Sequence, residues 1–371
     1  MNWPVPLKTF VRSSPWLIPC ILWGTLMFNT QVRAQDTAAH FPGATWENIP
    51  VSSLKAECSQ SLQKLGAELQ KGQTTSLFAV RNGRALFSYG AVDKTSVIES
   101  ARKSILSMLY GKYVANGTID LEQNLAAAGM DDIGGLSVLE KQARIRDLLT
   151  ARSGVYHPAS NSGDDSQYAP PRDSQKPGSY FLYNNWDFNA AGAVLENATH
   201  QNIYRLFDND IATPLQLQDF KLQDQKKLGD KNKSRYLAYH FTLSTRDMAR
   251  LGQLALHQGS WRGQQIIPAD WMALTTSTVT ASSDMHPASA VARKIGYGYL
   301  WWVLEEPADS ALQGAYMAWG LHGQYILVVP KTNMVIAHQR QVPVDGNWDM
   351  PKVGKNTFIH LAKMLVDHCQ Q

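Results

Sequence analysis

Cysteine is scarce in this chain: Cys20, Cys58 and Cys369 are the only three in 371 residues. No Cys-x-x-Cys pair and no His-Glu-x-x-His run occurs, and the ten histidines are scattered. The sequence therefore offers no metal-ligand set, and no cofactor is implied. Gly-x-Ser-x-Gly is absent too, which removes the strand–turn–helix nucleophile elbow of one large hydrolase class. Acidic residues are missing from the first 34 positions, which hold Lys8, Arg12 and Arg33. The apolar run there, Trp16 to Phe28, is short of the roughly 20 residues that cross a bilayer. Val32-Arg33-Ala34 then supplies small residues where a signal peptidase reads, so residues 1–34 are expected to be a secretory signal cut after Ala34. An uncleaved anchor is the alternative. Leu17-Ile18-Pro19-Cys20 is a poor lipidation site, with proline before the cysteine inside the apolar run.

Removing the leader takes 35 Lys and Arg to 32, against 31 Asp and Glu. So small an imbalance gives no electrostatic case for nucleic acid, and membrane contact is expected only through the export signal. The expected product is periplasmic or secreted. Nothing in the sequence sets its oligomeric state, and no internal repeat is present.

What is there has clear periodicity. Leu54, Cys58, Leu62, Leu65 and Leu69 recur at helical spacing. "SLFAV" and "ALFSYG" flank Asn82-Gly83 and predict a hairpin. From about 118 to 275 the reading is mostly helical, through "VLEKQARIRDLL", "WDFNAAGAVLENA", "QNIYRLFDNDI" and "STRDMARLGQLALHQG", the last opened by a capping box of Ser244 with Asp247. Gly154 to Gly178 is a polar, Pro- and Gly-rich loop of the kind that covers sites. After about 295 strands return in "YGYLWWVL", "GAYMAWG", "GQYILVVP" and "MVIAHQR", before a terminal helix over 353–369. Strands at both ends with helices between predict an α+β fold: one antiparallel sheet, flanked by N- and C-terminal helices, with a helical insertion.

The stretch "ESARKSILSMLYGKY" places Ser100 three residues before Lys103 at the start of an apolar helix. Residues i and i+3 share a helix face, so the lysine amine can take the serine proton if it is neutral. Backbone N–H groups at a helix start also favour a developing oxyanion. Ser52 with Lys55 and Ser61 with Lys64 have the same spacing and are assigned to the exposed side of the first helix. "YNN" at 183–185 adds Tyr183, a phenol able to relay a proton, and Asn185, an amide able to hold lysine and substrate; a capped helix entry is the plainer reading.

"SARKS", "IDLEQNL", "IRDLLTARSG", "YNNWDFNAAGAVLE", "STRDMARLGQLALHQGSWRGQQIIPADW", "GYGYLWW" and "GLHGQYILVVP" resemble, in this order, serine hydrolases of the β-lactamase superfamily. The match covers about 75 to 340 and looks nearest to the class C relatives that include esterases, D-amino peptidases and nylon-oligomer hydrolases. The resemblance implies Ser100 as nucleophile, Lys103 as its base, Tyr183 as proton relay and Asn185 as positioner. The third motif, usually K-T-G or H-x-G, departs: His322-Gly323 of "GLHGQ" is the expected counterpart, with Leu321 or His322 giving the second oxyanion N–H. "KTN" at 331–333 reads as a solvated turn. Without that lysine, a β-lactam carboxylate loses a charge-assisted partner, and His322 is either a weaker substitute or a residue packed at the strand edge. Trp301-Trp302 reads as sheet packing, with a substrate platform as the alternative. His157, Tyr156 and Tyr168 read as solvated loop residues more than pocket walls.

The expected activity is hydrolysis of an amide or ester in a small or peptide-like substrate, through an acyl-enzyme on Ser100. The alternative is a silent cell-wall-binding module. In this family the first and last helices pack together, which implies that Cys58 and Cys369 come close; a disulfide and two free thiols both remain open.

Overall fold

The computed structural model describes residues 39–163, 165–342 and 350–370, so the expected leader lies outside the described residues. Its centre is a seven-stranded antiparallel sheet. β1 (Ser76–Arg81) and β2 (Arg84–Gly90) form the expected hairpin, with Asn82 and Gly83 at φ 50° and 73°. Two positive φ values are what a two-residue turn needs to match strand twist, and Asn-Gly adopts them at least cost. β3 (Ile295–Tyr297), β4 (Trp302–Leu304), β5 (Tyr316–Gly320), β6 (Gln324–Val329) and β7 (Met334–Gln339) complete it in the order β3-β4-β5-β6-β7-β1-β2. β1 thus lies beside β7, Ser76 opposite Gln339. The turn Pro330–Thr332, closed by Asn333 at φ 50°, carries an exposed Lys331, which donates to the carbonyls of Ala308 and Ser310, away from any site.

Five helices matter for the site: α1 (Ala56–Lys71), α2 (Arg102–Ala115), α3 (Asn185–Thr199), α4 (Thr245–Leu256) and α5 (Lys355–Val366). On β6, Tyr325 stacks on Phe358 of α5 with ring centroids 4.2 Å apart. The next residue, Ile326, meets α4 at Gly252, where a Cβ would lie 2.9 Å from Ile326 Cγ2 and 2.3 Å from Val335 Cγ1. Successive strand residues point to opposite faces, so α5 and α4 cover opposite sides of the sheet. Only glycine lets α4 approach this closely.

α1 packs on α5. Cys58 and Cys369 are joined as a disulfide, with Cα atoms 4.7 Å apart and a sequence separation of 311. Ser61 is buried in this contact and donates to the Met364 carbonyl at 2.5 Å, so it is not on the exposed side of the helix as expected. Ser52 is exposed but lies ahead of α1, in the single turn Val51–Ser53.

The insertion is less helical than its pattern. "VLEKQARIRDLL" yields only a 3-10 turn at Glu140–Gln142 and a short helix at Ile145–Leu149. Glu140 is 1% exposed and accepts from Arg172 Nε (2.8 Å) and from the Ser137 amide (2.9 Å), so tertiary pairing overrides helix propensity there. Short strands appear as well, Thr95–Val97 with Thr242–Ser244 and Phe181–Leu182 with Met285–His286. Of the expected capping box, half forms: Ser244 accepts from the Asp247 amide at 3.2 Å. The Asp247 carboxylate instead receives the amides of Gln218, Asp219 and Phe220.

Candidate active site

Ser100 occupies the 3-10 turn Glu99–Ala101 that feeds α2. The segment before it is held as a strand, and the Ile98 amide donates to the Phe241 carbonyl at 3.0 Å. Glu99 turns the chain at φ 49°, a left-handed conformation that costs an L-residue with a side chain roughly 1–3 kcal/mol. Opposite stands Gly320, the last residue of β5. A Cβ there would lie 2.3 Å from the Ile98 carbonyl oxygen, so the sheet edge and the serine turn meet backbone to backbone.

Lys103, in the first turn of α2, donates from Nζ to Ser100 Oγ at 2.6 Å. It is 1% exposed, and Nζ lies 4.7 Å from the ring centroids of both Tyr183 and Phe188. Tyr183 lies just ahead of Asn184, the N-cap of α3. Its ring stacks on Trp302 at 5.4 Å and meets Tyr297 edge-on at 6.0 Å. Asn184 caps α3 by accepting from the Asp187 amide at 3.0 Å. Asn185 is buried at the helix start and donates to the Ser162 carbonyl at 2.9 Å, which ties the long loop to α3.

Ser100 and Tyr183 both open onto a cavity of about 290 Å³. The long loop contributes Gly163 and Asp165, and the sheet contributes Trp302, Trp319, Gly320 and Leu321. Trp302 pairs with Met317 across β4 and β5, so Trp319, two residues on, shares its face; the two indoles are 5.3 Å apart. Trp301 points the other way, fully buried against Tyr316. The aromatic pair thus splits between core and cavity wall.

Of the expected third motif, Leu321 lines the cavity beside Ser100 with Trp319 and Gly320, and His322 follows in the β5–β6 turn at 2% exposure. The His322 carbonyl accepts from the Val353 amide at 3.0 Å, and the Gly323 carbonyl is bonded to His338 Nδ1 at 2.7 Å. Val353 thus anchors the turn at His322, and His338 of β7 holds it at Gly323. His157 is buried too, bonded through Nε2 to the Ile133 carbonyl at 2.8 Å. Tyr156 is half-buried beside it, and both lie next to a neighbouring cavity with Ser162. Tyr168 is exposed.

Beneath the nucleophile the field is positive. Arg102 is 2% exposed, donates to Asn189 Oδ1 at 3.2 Å and packs its guanidinium 4.3 Å from the Tyr239 ring centroid. Burial pushes the Glu99 carboxyl up to about 7, against the opposing pull of Arg102 and Lys103. Burial, then Arg102, Lys103 and Lys226, hold His240 down at about 3, neutral at ordinary pH.

Sequence reasoning missed Arg293, which lies just before β3 and lines the same cavity. Its Nη2 is 2.9 Å from both carboxylate oxygens of Asp165. The two are 128 residues apart and no local pattern links them. Among the described residues, no group of three or more His, Cys, Asp or Glu is placed to hold a metal ion.

Known proteins share this architecture. A Bacillus anthracis protein described as a candidate 6-aminohexanoate-dimer hydrolase superposes with a TM-score of 0.61 at 18% identity, over 90% of this chain and 87% of its own. A penicillin binding protein of Bacillus halodurans gives 0.58 at 14%, over 82% and 99%. EstCE1, a hydrolase with promiscuous acyltransferase activity, gives 0.57 at 14%, over 85% and 99%. Likeness at such identities is a likeness of fold. An uncharacterized protein of Alkalihalophilus pseudofirmus is 29% identical over 101 residues, a stretch that spans 25% of this chain and 28% of that protein. The family model for beta-lactamase matches residues 67–339. Because that match runs over most of its length and takes in the serine turn, the lysine and the cavity's sheet wall, the chain belongs to the beta-lactamase family.

Proposed function

We propose that this protein hydrolyses an amide or ester bond through an acyl-enzyme on Ser100. The observation that carries the reading is the 2.6 Å contact between Lys103 Nζ and a serine oxygen that opens onto a cavity. Neutral Lys103 takes the hydroxyl proton as Oγ attacks the carbonyl carbon. The amides of Ser100 and Leu321 receive the oxyanion. As the tetrahedral adduct collapses, Tyr183 gives a proton to the departing nitrogen or oxygen and is reprotonated through Lys103. Water then attacks the acyl carbon, its proton passes back along the same groups, and the acid leaves. Asn185 acts here by holding the loop at Ser162, beside the cavity's Gly163.

The substrate is a linear amide or ester in preference to a β-lactam, since no lysine stands at the third motif. Export to the periplasm or medium, with cleavage after Ala34, agrees with a disulfide between buried cysteines, which persists in oxidising compartments. The amino terminus of the mature protein, read by mass spectrometry, tests that cleavage.

A fluorophosphonate probe tests the chemistry. It should label Ser100 in the wild type, leave Ser100→Ala unlabelled, and label Ser52→Ala like wild type. A wild-type protein that neither labels nor turns over esters and amides would be a binding module instead.

A further inference from the structure

Resting on the reading that the Leu321 amide receives the oxyanion, we propose that His338, oriented by Thr74, is a positioning residue for the reaction: it fixes the β5–β6 turn so that this amide faces the carbonyl attacked by Ser100. His338 lies on β7, fully buried, and Thr74 is buried just ahead of β1. His338 Nδ1 is 2.7 Å from the Gly323 carbonyl oxygen, and Nε2 is 2.8 Å from Thr74 Oγ1. A carbonyl only accepts, so Nδ1 carries the proton and Nε2 accepts from the Thr74 hydroxyl. Burial holds the imidazole down at about 4, against the pull of the Gly323 carbonyl, so the ring is neutral at ordinary pH. The two partners thus select one tautomer and one ring orientation, with a single N–H aimed at the turn.

That turn needs holding. Gly320 pairs with Gln324, so the chain reverses over Leu321, His322 and Gly323. His322 stands at φ 67° and Gly323 at φ 117°, conformations that persist only where the surroundings over-determine them. The Val353 amide fixes one peptide through the His322 carbonyl at 3.0 Å, and His338 fixes the next. The contact is close: a Cβ on Gly323 would lie 2.9 Å from Val353 Cβ and 3.4 Å from His338 Cε1. Peptide groups are planar and turn as units, so releasing the Gly323 carbonyl lets rotation pass back along the turn to Leu321, which lines the cavity with Ser100. An oxyanion donor works only when its N–H is already aimed, which makes this buried relay a means of pre-organisation.

The test follows turnover of a nitrophenyl ester and of its thionoester, whose sulfur accepts hydrogen bonds poorly and gains little from an oxyanion donor. His338→Leu should lower kcat for the ester by about 10- to 100-fold with KM little changed, less than outright loss of a donor costs. The ratio of ester to thionoester turnover should fall with it, since a loss of packing alone would slow both substrates equally. His338→Asn, whose amide nitrogen takes the place of Nδ1, should recover most of the rate and the ratio, and Thr74→Val should lower the ratio by a smaller factor. If His338→Leu does not melt cooperatively, His338→Gln, whose amide falls at Nε2 instead of Nδ1, gives the same readout. Ester turnover in the leucine variant within threefold of wild type, an unchanged ratio, or an asparagine variant no better than leucine would each overturn the proposal. None of these outcomes touches the assignment of Ser100, which stands or falls on fluorophosphonate labelling of the wild type.

Discussion

Gly320→Ala is the substitution with the most direct route from geometry to rate. The added Cβ would lie 2.3 Å from the Ile98 carbonyl oxygen, 2.9 Å from Gln324 Cβ and 3.0 Å from Glu99 Cβ. The nearest atom is backbone and cannot rotate aside. Restoring van der Waals contact requires the end of β5 and the serine turn to separate by about 1 Å, a displacement of the size that costs on the order of 100-fold in rate when it falls on reacting groups. Overpacking of this kind also destabilises by about 1–3 kcal/mol. The proposed oxyanion donors, the amides of Ser100 and Leu321, stand on the two sides of that seam, so kcat should fall more than KM rises. Turnover of a nitrophenyl ester and a thermal melt measure both effects. Gly66→Ala is the control: Gly66 is within α1, a Cβ there meets nothing within 4 Å, and alanine should stabilise the helix by up to about 1 kcal/mol. Turnover in Gly320→Ala within threefold of wild type would show that this seam does not set the catalytic geometry.

Tyr183→Phe keeps the ring between Trp302 and Phe188 but loses the proton, and should lower kcat by about two to four orders of magnitude with little change in KM; an unchanged kcat would make the phenol structural. Replacing Cys58 and Cys369 by serine opens a loop of 311 residues and should cost on the order of 5 kcal/mol by the chain-entropy account, read by denaturant unfolding. Two reactive thiols in the unfolded, unreduced mature protein would remove the basis for that expectation. Glu99 titrates near 7 when folded and near its ordinary 4.5 when unfolded, so the folded state holds the extra proton between these values. Stability of the wild type relative to Glu99→Gln should therefore fall as pH rises from 4.5 to about 7 and level off above, and a flat difference would place Glu99 in contact with water.

Much of this was legible because it is written locally. The Asn82-Gly83 hairpin needs only two positive φ angles, and the strands after 295 carry their own turn residues. Ser100 and Lys103 meet because three residues make nearly one helical turn. Other features depend on distant partners. Asp165 and Arg293 find each other across 128 residues, and Glu140 trades a helix for Arg172. The tandem at 301–302 is divided by strand alternation, which decides that Trp302 and not Trp301 reaches the cavity once the register with Met317 is known. His322 stood out as chemically able, yet the anchorage of its turn by Val353 is invisible without the fold.

The pairing of β1 with β7 also sets a timetable for synthesis. Thr75 donates from its side chain to the Gln339 carbonyl, 264 residues further along. A chain made from its amino terminus displays the β1–β2 hairpin long before its neighbour exists, and one edge of that hairpin is apolar and unpaired until then. Such an edge is a template for the wrong strand, and contacts this distant in sequence form slowly. That edge of the hairpin therefore stays without its native neighbour for most of synthesis, and a chain stopped before residue 334 lacks the strand that pairs with β1.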